Sequence, residues 1–161
     1  VIIVADSSPL IVLQAIDLIR LLPELFGEVV VPPEVLSELS APARTEAVRR
    51  FSAAPPAWLK VRAPRKAASY IGLHAGEAAA IELAREVNAS LLIIDETRGR
   101  KTAVDLGLRI TGTIGIMVRG AEQGLVDLAD AFARVKRTDF WVSRKLLDET
   151  LRSFKQRYPQ P

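Results

Sequence analysis

Short, unbroken apolar runs alternate with segments of helical period along most of this chain. Residues 1–5 are apolar and rich in β-branched side chains, and they end at once in Asp6-Ser7-Ser8-Pro9. A run without polar alternation predicts a strand buried on both faces, the environment of a parallel sheet. Ser8 before Pro9 predicts an N-cap followed by a proline at the first helical position, opening a helix through Leu10 and Leu13. A second strand is predicted over 28–31, closed by Pro32-Pro33, with Pro33 opening a helix that carries Glu34 to Leu39. Residues 42–51 predict another helix, 53–56 a breaker and 58–61 a short strand. From 75 to 87 the period is helical, with Glu77, Ile81 and Ala84 on one face. Residues 91–94 predict the next buried strand, 97–106 a helix ended by Gly107, and 108–111 a last strand. Gly112-Thr113 starts a further helix, and after Gly124 the chain is helical, with breaks near Thr138 and Ser143.

Strands alternating with helices predict an α/β fold on a mostly parallel sheet. Ligands of such a sheet bind beyond the carboxyl ends of the strands. Asp6 stands there after the first strand, and Asp95 with Glu96 after the fourth. The 161 residues predict a single domain, with 125–161 a helical extension packed on it. The opening apolar run stops at Asp6, far short of the ~20 residues of a membrane span. No basic residues precede it as in a secretion signal, so a cytoplasmic protein with no membrane partner is expected.

Composition narrows the chemistry. Without cysteine there are no disulfides, thiolate metal sites or cysteine nucleophiles, and with His74 as the only histidine there are no histidine-rich metal sites. No G-x-G-x-x-G, G-x-x-x-x-G-K-[ST] or G-x-S-x-G segment occurs. Dispersed acids are the chemistry that is left. The net charge of +3 conceals a division. Residues 43–66 carry seven basic side chains against Glu46, and 134–157 carry eight against three acids, while the remainder has a net charge of −8. Such asymmetry points either to a polyanionic partner or to solvated helix faces.

Two roles are open to Asp6 and Asp95. They can cap the helices that follow them, but Ser7 or Ser8 and Thr97 are able to do that, which leaves both aspartates spare. Two spare carboxylates at one sheet edge repel each other, and a hard divalent cation with oxygen ligands removes that cost. Glu38 lies four residues from Glu34, and taken alone it reads better as an exposed acidic turn near a helix N-terminus than as a site acid. Glu77 sits in the first turn of its helix on the Ile81 side, facing the core, where an acid needs a partner. His74 reads as a loop or capping residue rather than a ligand.

Asp6-Ser7-Ser8-Pro9-Leu10, Val31-Pro32-Pro33-Glu34-Val35-Leu36-Ser37-Glu38, Gly76-Glu77-Ala78-Ala79-Ala80-Ile81, Ile94-Asp95-Glu96 with Gly99-Arg100 and Ala103, and Gly112-Thr113-Ile114-Gly115 occur in this order. Together, over residues 1–124, they resemble the PIN-domain family. The likeness is greater to a branch with the D-S-S-P-L opening and the G-T-x-G segment than to VapC-type toxins. The resemblance implies a three-layer α/β/α sandwich around a central, mostly parallel sheet. Acids from separate elements would meet at the strand ends to hold Mg²⁺ or Mn²⁺ and cut RNA. Carried over position by position, Asp6, Glu38, Glu77 and Asp95 are the four catalytic and metal-holding acids, with Glu96 as a fifth metal ligand. Ser7 and Thr113 are candidates to hydrogen-bond a metal-bound water or a phosphate. Arg98, Arg100 and Lys101 are placed either to meet phosphates or as a solvated helix face. Glu77 stands where toxin relatives more often carry aspartate, which alters the reach of the site. The helical stretch after Gly124, with Phe140, Trp141, Leu146, Leu147, Leu151 and Phe154, packs on the domain or forms a homodimer or antitoxin-binding surface.

The function implied is a divalent-metal-dependent ribonuclease, the toxin of a toxin–antitoxin pair, with RNA as substrate and a small antitoxin as partner. The alternative is a non-catalytic PIN-like RNA-binding or regulatory module. A third class, a metal-dependent phosphatase or DNA-directed nuclease, shares the same carboxylate chemistry.

Overall fold

The computed structural model describes residues 1–161. Five strands, β1 (Ile3–Ala5), β2 (Val29–Val31), β3 (Leu59–Val61), β4 (Leu91–Ile93) and β5 (Ile110–Thr111), form one sheet in the order β3-β2-β1-β4-β5. The helices are α1 (Ser7–Ala15), α2 (Leu21–Phe26), α3 (Pro33–Leu39), α4 (Glu46–Ala53), α5 (Ala75–Glu86), α6 (Thr97–Asp105), α7 (Thr113–Glu122), α8 (Leu128–Lys136) and α9 (Arg144–Arg157). Every strand pairing is parallel, with Val4 opposite both Val30 and Leu92. All residues of β1 and β4 are buried, so helices cover both faces of the sheet, as an unbroken apolar run requires. This is the expected α/β/α arrangement. No helix is long and apolar enough to cross a membrane.

The chain order places the site. From β1 the chain moves outward through β2 to β3, then returns through α5 to β4 on the other side of β1. The direction of winding therefore reverses between β1 and β4, where diverging loops open a crevice at the carboxyl edge. Asp6 and Asp95 lie at that edge, one residue past β1 and two past β4. The core beneath is a continuous apolar cluster that includes Val4, Leu13, Ile81, Leu92 and Ile116, and also Phe132 and Val135 of α8 and Leu147 of α9.

Local differences from the sequence reading have local causes. α1 starts at Ser7, with Asp6 rather than Ser8 at the N-cap position and Pro9 third in the helix. Proline fits there because the first helical N–H groups have no intrahelical acceptor in any case. α6 is capped by Glu96, not Thr97, since the longer Glu96 side chain reaches the Gly99 N–H at 2.9 Å. α4 begins at Glu46 rather than at 42, where Thr45 accepts from the Val48 N–H at 3.4 Å. α2 is not foreshadowed by any cap signature. It forms where Leu21 and Leu22 are wholly buried, and Pro23 is harmless in a first turn. β5 is two residues rather than four.

Candidate functional site

Asp6 emerges directly from β1. Its N–H still bonds the Ile93 carbonyl at 2.9 Å, while its side chain lies past the strand end and makes no capping bond. The residue is only 1% exposed, and its Oδ1 is buried without a hydrogen-bond partner. Burial above all, and then the Glu38, Glu77 and Asp95 carboxylates, push its pKa from 3.8 up to about 7, against the lowering effect of the Ser7 backbone hydrogen bond.

Glu38 is supplied by the last turn of α3. Its Oε2 accepts from the Ser7 hydroxyl, and its Oε1 accepts from the Gly76 N–H at 3.2 Å. A Cβ at Gly76 would lie 2.7 Å from the Glu38 carboxyl carbon, so the missing side chain is what lets the start of α5 meet α3. Glu77, the next residue of α5, is buried and accepts from the backbone N–H of His74 at 3.3 Å. His74 thus occupies the N-cap position of α5, one of the roles read for it. Burial raises the Glu77 pKa, and the nearby Glu96 and Glu38 charges add to the rise.

Asp95 is not spare. Its Oδ1 accepts from the Thr113 N–H at 2.8 Å and its Oδ2 from the Thr113 hydroxyl at 2.6 Å. The first turn of α7 carries N–H groups in need of acceptors, and the end of β4 delivers a carboxylate to one of them. Burial raises the Asp95 pKa against these two bonds and the Arg100 charge, all of which lower it. Glu96 is exposed and caps α6, yet it stands close enough to Glu77 to raise that residue's pKa.

The remaining residues divide. Ser7 and Thr113 are buried, and each directs its hydroxyl proton at a carboxylate, so both orient acids. Arg100 is half-buried beside Asp95, with Nη1 on the Ile94 carbonyl at 2.8 Å. Arg98 instead lies across Gly72, where an added Cβ would be 2.6 Å from its Nη1. Lys101 pairs along α6 with Asp105 at 2.7 Å and is not brought to the acids. A polar cleft of about 450 Å³ is lined by Ser7, Ser8, Glu38, Arg44, His74 and Glu77. Arg44 was legible only as one member of a basic stretch. Its place here follows from the turn before α4, where its Nε reaches the Glu38 carbonyl at 3.3 Å.

The donor set suits a hard divalent cation: carboxylate oxygens only, one of them buried and unpartnered, with mutual repulsion for a cation to relieve. No three acid or imidazole groups are close enough together to cage an ion by themselves. A cation here would be held by one or two carboxylates, Asp6 among them, with water in its other positions, as suits Mg²⁺.

The class of domain is thus a parallel α/β sheet with acids gathered at its winding reversal. The chain belongs to the PIN-domain family, whose model matches residues 2–156. PIN domains are generally nucleases. The fold is similar to that of a PilT N-terminus domain protein from the hyperthermophilic archaeon Sulfolobus solfataricus P2. That protein is 19% identical, and the match covers 72% of this chain and 90% of that one with a TM-score of 0.54, a likeness of fold. No curated protein matches this chain.

Proposed function

We propose that the protein is a divalent-metal-dependent endoribonuclease that hydrolyses RNA phosphodiesters. The observation that carries this reading is Asp6: a nearly inaccessible carboxylate with a bare oxygen, faced by three further acids. A folded protein keeps such a group where a cation or a reaction needs it. When bound, Mg²⁺ or Mn²⁺ supplies Lewis-acid polarisation of a phosphoryl oxygen and a more acidic water. Asp6, with one of its neighbours Glu77 and Glu38, would hold that ion and leave its other positions to water, and Asp95 completes the acid edge. Ser7 keeps Glu38 turned toward Gly76, and Thr113 fixes both oxygens of Asp95, so neither acid reorganises when RNA arrives. Arg100 and Arg44 offer guanidinium donors to phosphates on either side of the acids.

The same reading makes the protein the toxin of a toxin–antitoxin pair in the cytoplasm, a homodimer held in check by a small antitoxin. It predicts that growth arrest on expression is relieved by a small protein encoded beside it. The specific observation that favours the non-catalytic alternative is that Glu38 and Asp95 already have their carboxylates engaged by protein donors. Cleavage of labelled single-stranded RNA decides between them. The nuclease requires Mg²⁺ or Mn²⁺, and activity falls by at least about a hundredfold in Asp6→Asn and in Asp95→Asn. Cleavage that survives both substitutions and chelation would contradict it, and salt-sensitive binding without turnover would establish the binding module.

A further inference from the structure

A second cleft, of about 400 Å³, opens beside Asp95. Its floor is the β5–α7 junction, with Ile110, Gly112 and Gly115, and its wall is the connector between α8 and α9, with Phe140 and Trp141. Its size falls within the ~300–1,000 Å³ usual for small-ligand sites. Trp141 is 87% exposed, an unusual position for the largest apolar side chain, and its ring is in no aromatic pair. It also lines a smaller cavity of about 210 Å³ that contains Arg144. Arg100, in the larger cleft, donates from Nη1 to the Ile94 carbonyl and acts on Asp95 through its charge, but neither it nor Arg144 is among the nine ion pairs of the structure. The site therefore combines a free indole face, an apolar slot and two guanidinium groups outside any ion pair, contiguous with the acid edge through Asp95.

We propose that this cleft binds one unpaired nucleobase of single-stranded RNA, stacked on Trp141, with the flanking phosphates on Arg100 and Arg144. The proposal rests on the ribonuclease reading for its place beside the cutting site, and it adds the residues that hold a base next to that site. A base in a duplex is stacked on its neighbours and has no face to offer, whereas an unpaired base stacks on an aromatic ring while its backbone seeks cations. Charge argues against the other occupants. A second copy of this chain would bring its own basic residues 134–157 to a basic surface. An apolar peptide would fill the slot and leave Arg144 without an anion.

The test is RNA binding in chelator, where no strand is cut, with short oligouridylate as the probe. In W58F, which leaves Trp141 as the only tryptophan, binding quenches the fluorescence. W141A weakens binding about five- to a hundredfold, as loss of one base stack does. W141F restores most of the affinity, and RNA duplex binds W141A and the wild type equally. Because Trp141 is exposed, these variants keep the wild-type melting temperature. Unchanged affinity in W141A, absence of quenching in W58F, or no rescue by Phe would overturn the proposal. So would a W141A protein that falls from dimer to monomer with its RNA affinity intact, which would assign the cleft to a second copy. The ribonuclease reading fails separately: if RNA is never cut in Mg²⁺ or Mn²⁺ but the Trp141 effects hold, the base cleft stands without it.

Discussion

Asp6 ionises at about pH 7 in the folded protein but near its ordinary value of 3.8 in an unfolded chain. Between those values the folded state binds a proton that the unfolded state releases, so stability declines as pH rises from about 4 to about 7 and levels off above. Glu77 and Asp95, both raised, add slope of the same sign. Thermal unfolding in chelator should show a melting temperature that falls across this window, and Asp6→Asn should remove the larger part of the fall. At pH 8 that variant should be the more stable by on the order of 1–3 kcal/mol, since it no longer buries an unpaired charge. A flat profile in the wild type would mean that Asp6 is not buried as described. Asp6 and Asp95 were legible as acids just past strands and Glu77 as an acid on an inward helix face, whereas Glu38, in the last turn of α3, joined them only through the resemblance. That Ser7 and Thr113 would turn toward acids was not legible, because spacing along the chain does not show which groups meet across α1, α3 and α7.

Elements set the positions of these groups, and the contact between α3 and α5 is the most sensitive. Gly76 donates to Glu38 from the second position of α5, where a methyl group has no room beside the carboxylate. The obstructing atoms are the end of a flexible side chain, so Gly76→Ala should still fold, at a cost of about 1–3 kcal/mol. It should nonetheless displace Glu38 and lower cleavage about ten- to a hundredfold, as loss of an orienting contact does. Equal activity in the alanine variant would remove Glu38 from the site. The buried strands and most helices were legible because unbroken β-branched runs mark the strands, and helical apolar periods with proline at or near a start mark the helices. α2 was not, since six residues packed by Leu21 and Leu22 owe their form to tertiary burial rather than to local signals. Glu96 shows the same limit at a helix start, where the contact to Gly99 and not the residue's cap preference decides.

At the scale of the whole molecule, the net charge of +3 joins an acidic body to two basic stretches, and both reach the clefts. Arg44, from the first stretch, lines the acid cleft, and Arg144, from the second, lines the cavity on Trp141. The acids that would repel RNA are thus flanked by groups that attract it. RNA affinity in chelator should fall linearly on a log–log plot against salt, and Arg44→Ala and Arg144→Ala should each make the slope shallower by about 0.7. Slopes unchanged in both variants would reduce the charge division to a matter of solubility. The central claim is that Asp6 anchors a divalent cation at the carboxyl edge of the sheet. Anomalous scattering from a crystal soaked in Mn²⁺ tests it most directly. The account predicts a peak within bonding distance of Asp6, absent in Asp6→Asn; a wild-type crystal with no peak there, or with its only peak elsewhere on the molecule, would contradict it.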